Sequence, residues 1–160
     1  MALTRISNQS LTSVTALPAA IATGKVLQVV TATDSTSRST TSTSFVTGSN
    51  TMSVSITPAS TSNKIFVMAT GNIYMGTSAA YVIATIYRGS TDLGASSNKG
   101  LTNIYKNPDD TGSPLAMSIL DSPSSTSALT YQLYFRVTAG TGNINENGTK
   151  GVITAFEIAG

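Results

Sequence analysis

The side chains that could carry acid–base chemistry in this sequence are seven carboxylates, because histidine and cysteine are both absent. The absence of imidazole and thiol groups excludes disulfides, His-based catalytic triads and zinc sites built on those ligands. Glycoside hydrolysis would need two carboxyl groups facing each other across about 5–9.5 Å. Asp109 and Asp110 are adjacent and point apart in an extended chain, and the other acids are isolated: Asp34, Asp92, Asp121, Glu146 and Glu157. We therefore predict that the protein is not an enzyme.

Oxygen donors are densest around Pro108, where Asn107, Asp109, Asp110 and Thr111 lie close in sequence. Ca²⁺ takes six to eight oxygen ligands, but this segment lacks the alternating acids and the distal glutamate of an EF-hand loop. A hydrophilic turn accounts for the same residues. The sequence thus predicts no metal site and no cofactor, and a cation bound within residues 107–112 is the alternative.

Tyrosine is the residue type best suited to binding. Five of the six tyrosines fall in predicted strands, where the ring is normally buried: Tyr74, Tyr81, Tyr87, Tyr131 and Tyr134. Tyr105 instead falls in residues 99–113, a segment rich in Gly, Asn, Asp and Pro that predicts a long loop. Tyr105, Asn107 and Asp109 are therefore the candidate receptor contact, to a host surface glycan or a protein.

Composition excludes several partners. Charged residues make up 10% of the chain, against roughly 25% in an average soluble domain, whereas the 23 serines and 26 threonines are about 31% of it. The net charge is +2, and no two basic residues are adjacent, so we predict no nucleic-acid partner. The longest apolar run, Ala79–Ala84, is far too short to span a bilayer, and the N-terminus lacks the layout of a secretory signal. No membrane insertion is predicted.

The positioning elements are β-strands from residue 25 onward. Thr51–Thr57 alternates between apolar and hydroxyl side chains, which predicts a half-buried strand, and the continuous apolar run in Lys64–Thr70 predicts a strand buried on both faces. Leu129–Val137 and Gly151–Ile158 also alternate, and Asn147-Gly148 predicts a type I′ hairpin. Eight to ten strands separated by turns indicate an all-β, antiparallel, jelly-roll-like sandwich over residues 25–160.

Residues 1–24 form a separate N-terminal segment with no persistent alternation. Six large apolar side chains recur there at spacings of three to five residues: Leu3, Ile6, Leu11, Val14, Leu17 and Ile21. Because so many apolar groups are a liability on a free tail, we predict an extended arm that lies on a partner surface. A loose terminus is the alternative.

Five segments follow one another between about Gly24 and Ile158: GKVLQVVTAT, TTSTSFVTG, SVSITPASTSNKIFV, ILDSPSSTSALTYQLYFRV and GVITAFEIA. In order and spacing they resemble a family of short bacteriophage virion proteins, common among phages of aquatic bacteria and usually described as tail fibre or structural proteins. The resemblance implies a homotrimeric jelly-roll head, related in shape to tumour necrosis factor, mounted on the virion by its N-terminal arm. The segment VTAGTGNINENGTKG lacks the longer hydroxyl- and Arg-rich excursion of many members, so a receptor role is not carried over to it.

Two functions remain from the sequence. In the first, the chain is a non-enzymatic virion surface protein, assembled in the host cytoplasm, that trimerises and attaches to a phage capsid as decoration or to a tail as a short fibre. In the second, it is a carbohydrate-binding β-sandwich module that engages host surface glycans. The apolar arm favours the first, because a free lectin has little use for it.

Overall fold

A computed structural model of the chain describes residues 26–107 and 112–160. These residues form eleven β-strands, one short 3₁₀ turn (Glu146–Gly148) and no α-helix. The strands are β1 (Val26–Asp34), β2 (Arg38–Thr40), β3 (Ser53–Ile56), β4 (Lys64–Met75), β5 (Tyr81–Arg88), β6 (Thr91–Asp92), β7 (Thr102–Tyr105), β8 (Gly112–Asp121), β9 (Leu129–Val137), β10 (Gly142–Ile144) and β11 (Gly151–Ile158). The predicted arm, residues 1–24, lies outside the described part of the chain.

The strands form two antiparallel sheets. Sheet A has the order β1-β11-β4-β8. Strand β10 pairs with β4 beyond the end of β11, and β2 pairs with β10. Sheet B has the order β3-β9-β5, and both β6 and β7 pair with the far side of β5. The eight principal strands are β1, β3, β4, β5, β7, β8, β9 and β11. The first of these pairs with the eighth, the second with the seventh, the third with the sixth and the fourth with the fifth. This nested pairing is a jelly roll, so the predicted fold class is confirmed.

The core lies between the inner faces of the two sheets. Alternation puts every second residue of each strand there, and the fully buried members come from both sheets: Ile65, Val67, Ala69, Ile144, Ile153 and Ala155 from sheet A, and Val82, Ala84, Ile86, Leu133, Phe135 and Val137 from sheet B. The predicted half-buried strand follows the same rule, since Met52, Val54 and Ile56 are buried while Ser55 is exposed. The hydroxyl-rich outward positions therefore face solvent.

Two local predictions are wrong. The predicted long loop 99–113 contains strand β7, which is held by pairing with the first half of β5. Asn147 and Gly148 do have the positive φ angles of the predicted turn, 57° and 74°. They join β10 to β11, however, and these strands do not pair with each other because both pair with β4, one after the other along its length. The local turn geometry was thus predictable, but the hairpin was not.

Candidate interaction surfaces

The outward side of sheet A carries a row of large apolar residues across four strands. The strand register places Val29 beside Phe156, Phe156 beside Phe66, and Phe66 beside Leu120. The Phe66 and Phe156 rings contact each other, with centroids 6.2 Å apart. Val29 and Leu120 are each about half exposed, at 52% and 51%. We call this row and its neighbours the apolar face: Val26, Leu27, Val29, Phe66, Met68, Leu120, Phe156 and Ile158.

Charge is almost absent from the apolar face. Of the outward positions on β1, β11, β4 and β8, only Lys64 carries a charged side chain, because Asp34, Asp121 and Glu157 on these strands turn inward and are buried. Seven large hydrophobic side chains are exposed in the described part of the chain, and five of them lie on this one face. Contiguous apolar surface of this kind marks an interaction site more often than scattered hydrophobic residues do.

Strand β4 explains how the sequence encodes this face. The prediction that Lys64–Thr70 is buried on both faces is wrong for the single chain: Ile65, Val67 and Ala69 are fully buried, but Phe66 is half-buried and Met68 is 40% exposed. The outward residues are apolar although no described residue covers them. A second molecular surface laid on sheet A would bury both sides of β4, as its composition suggests.

Sheet B presents a different surface, with an open hollow of about 370 Å³ lined by Tyr81, Ile83, Lys99 and Asn103. We call this the tyrosine hollow. Tyr105 lines a neighbouring hollow of about 280 Å³, but its ring packs against that of its register partner Tyr81, with centroids 4.7 Å apart. Both rings are about 40% exposed. The prediction that Tyr81 buries its ring in a strand is therefore wrong, since it begins β5 at the end of the sheet.

The other candidate residues have mixed outcomes. Tyr105 is exposed as expected, but on strand β7 rather than on a loop. Asn107 is exposed two residues beyond it. Asp109, with the other residues of 108–111, lies outside the described residues, and so do the arm residues Leu3, Ile6, Leu11, Val14, Leu17 and Ile21. The structure thus shows Tyr105 and Asn107 as exposed, and it adds Tyr81 and Asn103, which the sequence did not single out as contacts.

A buried ion pair connects the two sheets. Arg88, at the end of β5, donates from Nη1 to both carboxylate oxygens of Asp121 at 2.8 and 2.7 Å, and Tyr131 donates its hydroxyl to Asp121 Oδ2 at 2.7 Å. Burial raises the pKa of Tyr131, and the bond to Asp121 raises it further, so the phenol stays a neutral donor. Each carboxylate oxygen is occupied by donors from the protein, which gives Asp121 a structural role.

Two further carboxylates on the inward side of sheet A fasten loops. Glu157 Oε1 accepts bonds from the Ala59 backbone N–H at 2.6 Å and from Asn63, and Gln28 donates to Oε2 at 2.6 Å. Burial acts to raise the pKa of Glu157, but these hydrogen bonds outweigh it, so the pKa lies below the usual value. Asp34 behaves alike: burial opposes ionisation, but bonds from the backbone of Thr51 and Thr36 lower its pKa.

Residues 26–107 and 112–160 contain neither a cluster of metal ligands nor a membrane-spanning helix. No group of three or more acidic side chains there is placed to hold a metal ion. In the same residues, no helix is long and apolar enough to cross a membrane. The predicted alternative of a cation in residues 107–112 falls mainly on undescribed residues and stays untested.

No protein-family model and no curated protein matches this sequence. Among solved structures, the chain is similar to the VP2 subviral particle of infectious bursal disease virus, with 12% sequence identity and a TM-score of 0.40. That similarity covers 82% of this chain and 38% of the VP2 chain, so this chain spans well under half of its length. The resemblance to phage virion proteins has no family model behind it and stays a prediction.

Proposed function

We propose that the protein is a non-enzymatic structural protein of a phage virion surface, whose copies associate into a homotrimer through the apolar face. The observation that carries the proposal is the row Val29, Phe156, Phe66 and Leu120, which crosses four strands whose outward positions hold one charged residue, Lys64. A second copy suits this face because it offers the same surface, on which Lys64 is the single charged outward residue of the four strands, so few charges have to be buried. The trimeric order comes from the resemblance of the sequence segments.

Attachment is assigned to the N-terminal arm. In this proposal residues 1–24, which end two positions before Val26 of the apolar face, dock the trimer on a capsid as decoration or on a tail as a short fibre. The support is the apolar spacing of Leu3, Ile6, Leu11, Val14, Leu17 and Ile21. The sandwich then remains free to present sheet B away from the particle.

Leu120→Asp tests the association. Burying the exposed half of Leu120 contributes about 1 kcal/mol per copy, and an unpaired carboxylate in a dry interface costs several kcal/mol. Three copies per trimer then cost about 10 kcal/mol, which lowers the association constant by roughly seven orders of magnitude. In sedimentation velocity at micromolar concentration we expect wild type to be a trimer and Leu120→Asp to be a folded monomer.

The matched control is Thr130→Asp, which adds the same charge at an exposed position on sheet B and should leave the trimer intact. A monomeric wild type, or a Leu120→Asp variant that stays trimeric, would contradict the proposal. The virion role has its own test: a chain lacking residues 1–22 should still trimerise but should be missing from particles. Full occupancy of particles by the truncated chain would refute the arm assignment and leave the association face unaffected.

A further inference from the structure

Self-association through sheet A does not explain the two exposed tyrosines at the tyrosine hollow. Five of the seven exposed large hydrophobic side chains in the described residues belong to the apolar face, and the other two are Tyr81 and Tyr105. Other aromatic rings on the outside of sheet B are satisfied by their neighbours: Tyr87 stacks on Tyr134 at 4.1 Å, and Phe45 packs against Tyr87. Tyr81 and Tyr105 contact each other and still keep about 40% of their surface exposed.

The chemistry of the hollow combines apolar and hydrogen-bonding groups. Ile83 and the Tyr81 ring offer apolar contact, while Asn103 offers an amide and Lys99 an ammonium group. Its volume of about 370 Å³ falls within the usual range for small-molecule sites, roughly 300–1,000 Å³. A purely aliphatic ligand would leave the amide and the ammonium unpaired. A nucleic acid would need more cations than the single lysine that lines the hollow.

We propose that the tyrosine hollow binds a saccharide. A pyranose ring has one face of C–H bonds, which packs on the electron-rich face of an aromatic ring, and a rim of hydroxyl groups that both donate and accept hydrogen bonds. The Tyr81 ring, which lines the hollow, and the Tyr105 ring that packs against it provide the stacking surface. The Asn103 amide and the Lys99 ammonium are the partners for the hydroxyl groups. The proposal does not depend on the virion role or on the trimer.

The backbone around the hollow is fixed before any ligand binds. Tyr81 donates its backbone N–H to the Thr138 hydroxyl at 2.9 Å and accepts from the Thr138 N–H at 3.0 Å. Lys99 lies in a turn closed by the Ala95–Gly100 bridge, and the Leu101 N–H anchors this turn to Ala84 at 2.8 Å. Little backbone ordering is then required on binding, which favours affinity.

Saturation-transfer NMR on the full-length protein tests the site. The probes are glucose, galactose, mannose, N-acetylglucosamine and glucuronic acid, each as the methyl glycoside and as a disaccharide. We expect at least one probe to bind, Tyr81→Ala and Tyr105→Ala each to weaken it about tenfold, and Asn103→Ala to weaken it less. Tyr105→Phe keeps the stacking face and should retain most of the affinity. The control is Tyr74→Ala, a half-buried tyrosine on sheet A, which should bind like wild type.

Three results would overturn the proposal. The first is that no probe binds at millimolar concentration. The second is that binding survives in Tyr105→Ala and Asn103→Ala, variants at exposed positions that should fold normally by circular dichroism. The third is that these variants change the sedimentation coefficient and not the saccharide affinity, which would make the hollow a contact between copies. A Leu120→Asp variant that loses the trimer but keeps its saccharide affinity would show that this site does not depend on the proposed association, so the two proposals can fail independently.

Discussion

Replacing Arg88 with alanine should destabilise the sandwich by leaving Asp121 buried without its cation. The Asp121 carboxylate is only 9% exposed and accepts both Arg88 bonds, while the Arg88 side chain is 26% exposed. Breaking a buried pair costs about 3–5 kcal/mol, and the partial exposure of Arg88 lets water reach the carboxylate, so we expect the lower end, about 3 kcal/mol. For a domain of this size the melting temperature should fall by about 10 °C.

The assay is urea unfolding followed by circular dichroism at one fixed protein concentration, because association would make stability concentration-dependent. The matched control is Arg136→Ala. Among the described residues, Arg136 donates to the backbone oxygens of Asn98 and Thr43 and lies over the Phe45 ring. Its loss should cost about 1 kcal/mol or less. The triple variant Arg88→Met, Asp121→Leu, Tyr131→Phe should recover most of the loss, since it removes both charges and also the buried Tyr131 hydroxyl that would lose its acceptor. Equal costs for Arg88→Ala and Arg136→Ala, or no recovery in the triple variant, would refute the reasoning.

Two other properties of the chain are open to direct measurement. Folding lowers the pKa of Glu157, so its ionised carboxylate stabilises the fold above the unfolded pKa of about 4.5, and this stabilisation is lost as pH falls through the folded pKa. Glu157→Gln should therefore make the free energy of unfolding fall less steeply below pH 4.5. An unchanged dependence of that free energy on pH would contradict this. Gly100→Ala combines a φ of +63° with a Cβ 2.5 Å from the Ala84 oxygen, whereas Gly89→Ala has a φ of +56° and no atom within 4 Å. Thermal melts should show a loss of about 1 kcal/mol for Gly89→Ala and a clearly larger one for Gly100→Ala; equal losses would mean that the close approach is relieved.

The sequence predicted those strands whose alternation is local. Strands β9 and β11 have the bounds that were predicted, because each alternates over its whole length and is flanked by turn residues. Strand β7 was missed since its four residues lie among Gly, Asn and Pro, and it is held by pairing with β5. The nested order of strands likewise depends on contacts between distant segments, which no local pattern encodes.

Fewer of the site residues than of the strands could be predicted from the sequence. Arg88 lies on the same side of β5 as Val82, Ala84 and Ile86, but both sides of this strand are largely buried, so alternation alone does not identify it. Its partner Asp121 is 33 residues away and could not be found without the fold. Tyr105 was found from its surroundings, but Tyr81 was not, because its exposure depends on lying at the end of β5 rather than within the sheet.

The two outer faces of the sandwich expose different kinds of uncharged side chain. Sheet B exposes hydroxyls, amides and the tyrosine hollow, which water can hydrate without ions. Sheet A turns its carboxylates inward and exposes aliphatic and phenylalanine side chains, although hydroxyl residues are abundant elsewhere in the chain. Hydroxyl side chains occupy most outward positions, but apolar side chains occupy Val29, Phe66, Leu120 and Phe156. Exposing those four side chains would be costly for a molecule whose sheet A always faced water. The uninterrupted apolar run in β4 therefore makes physical sense when a second surface covers it.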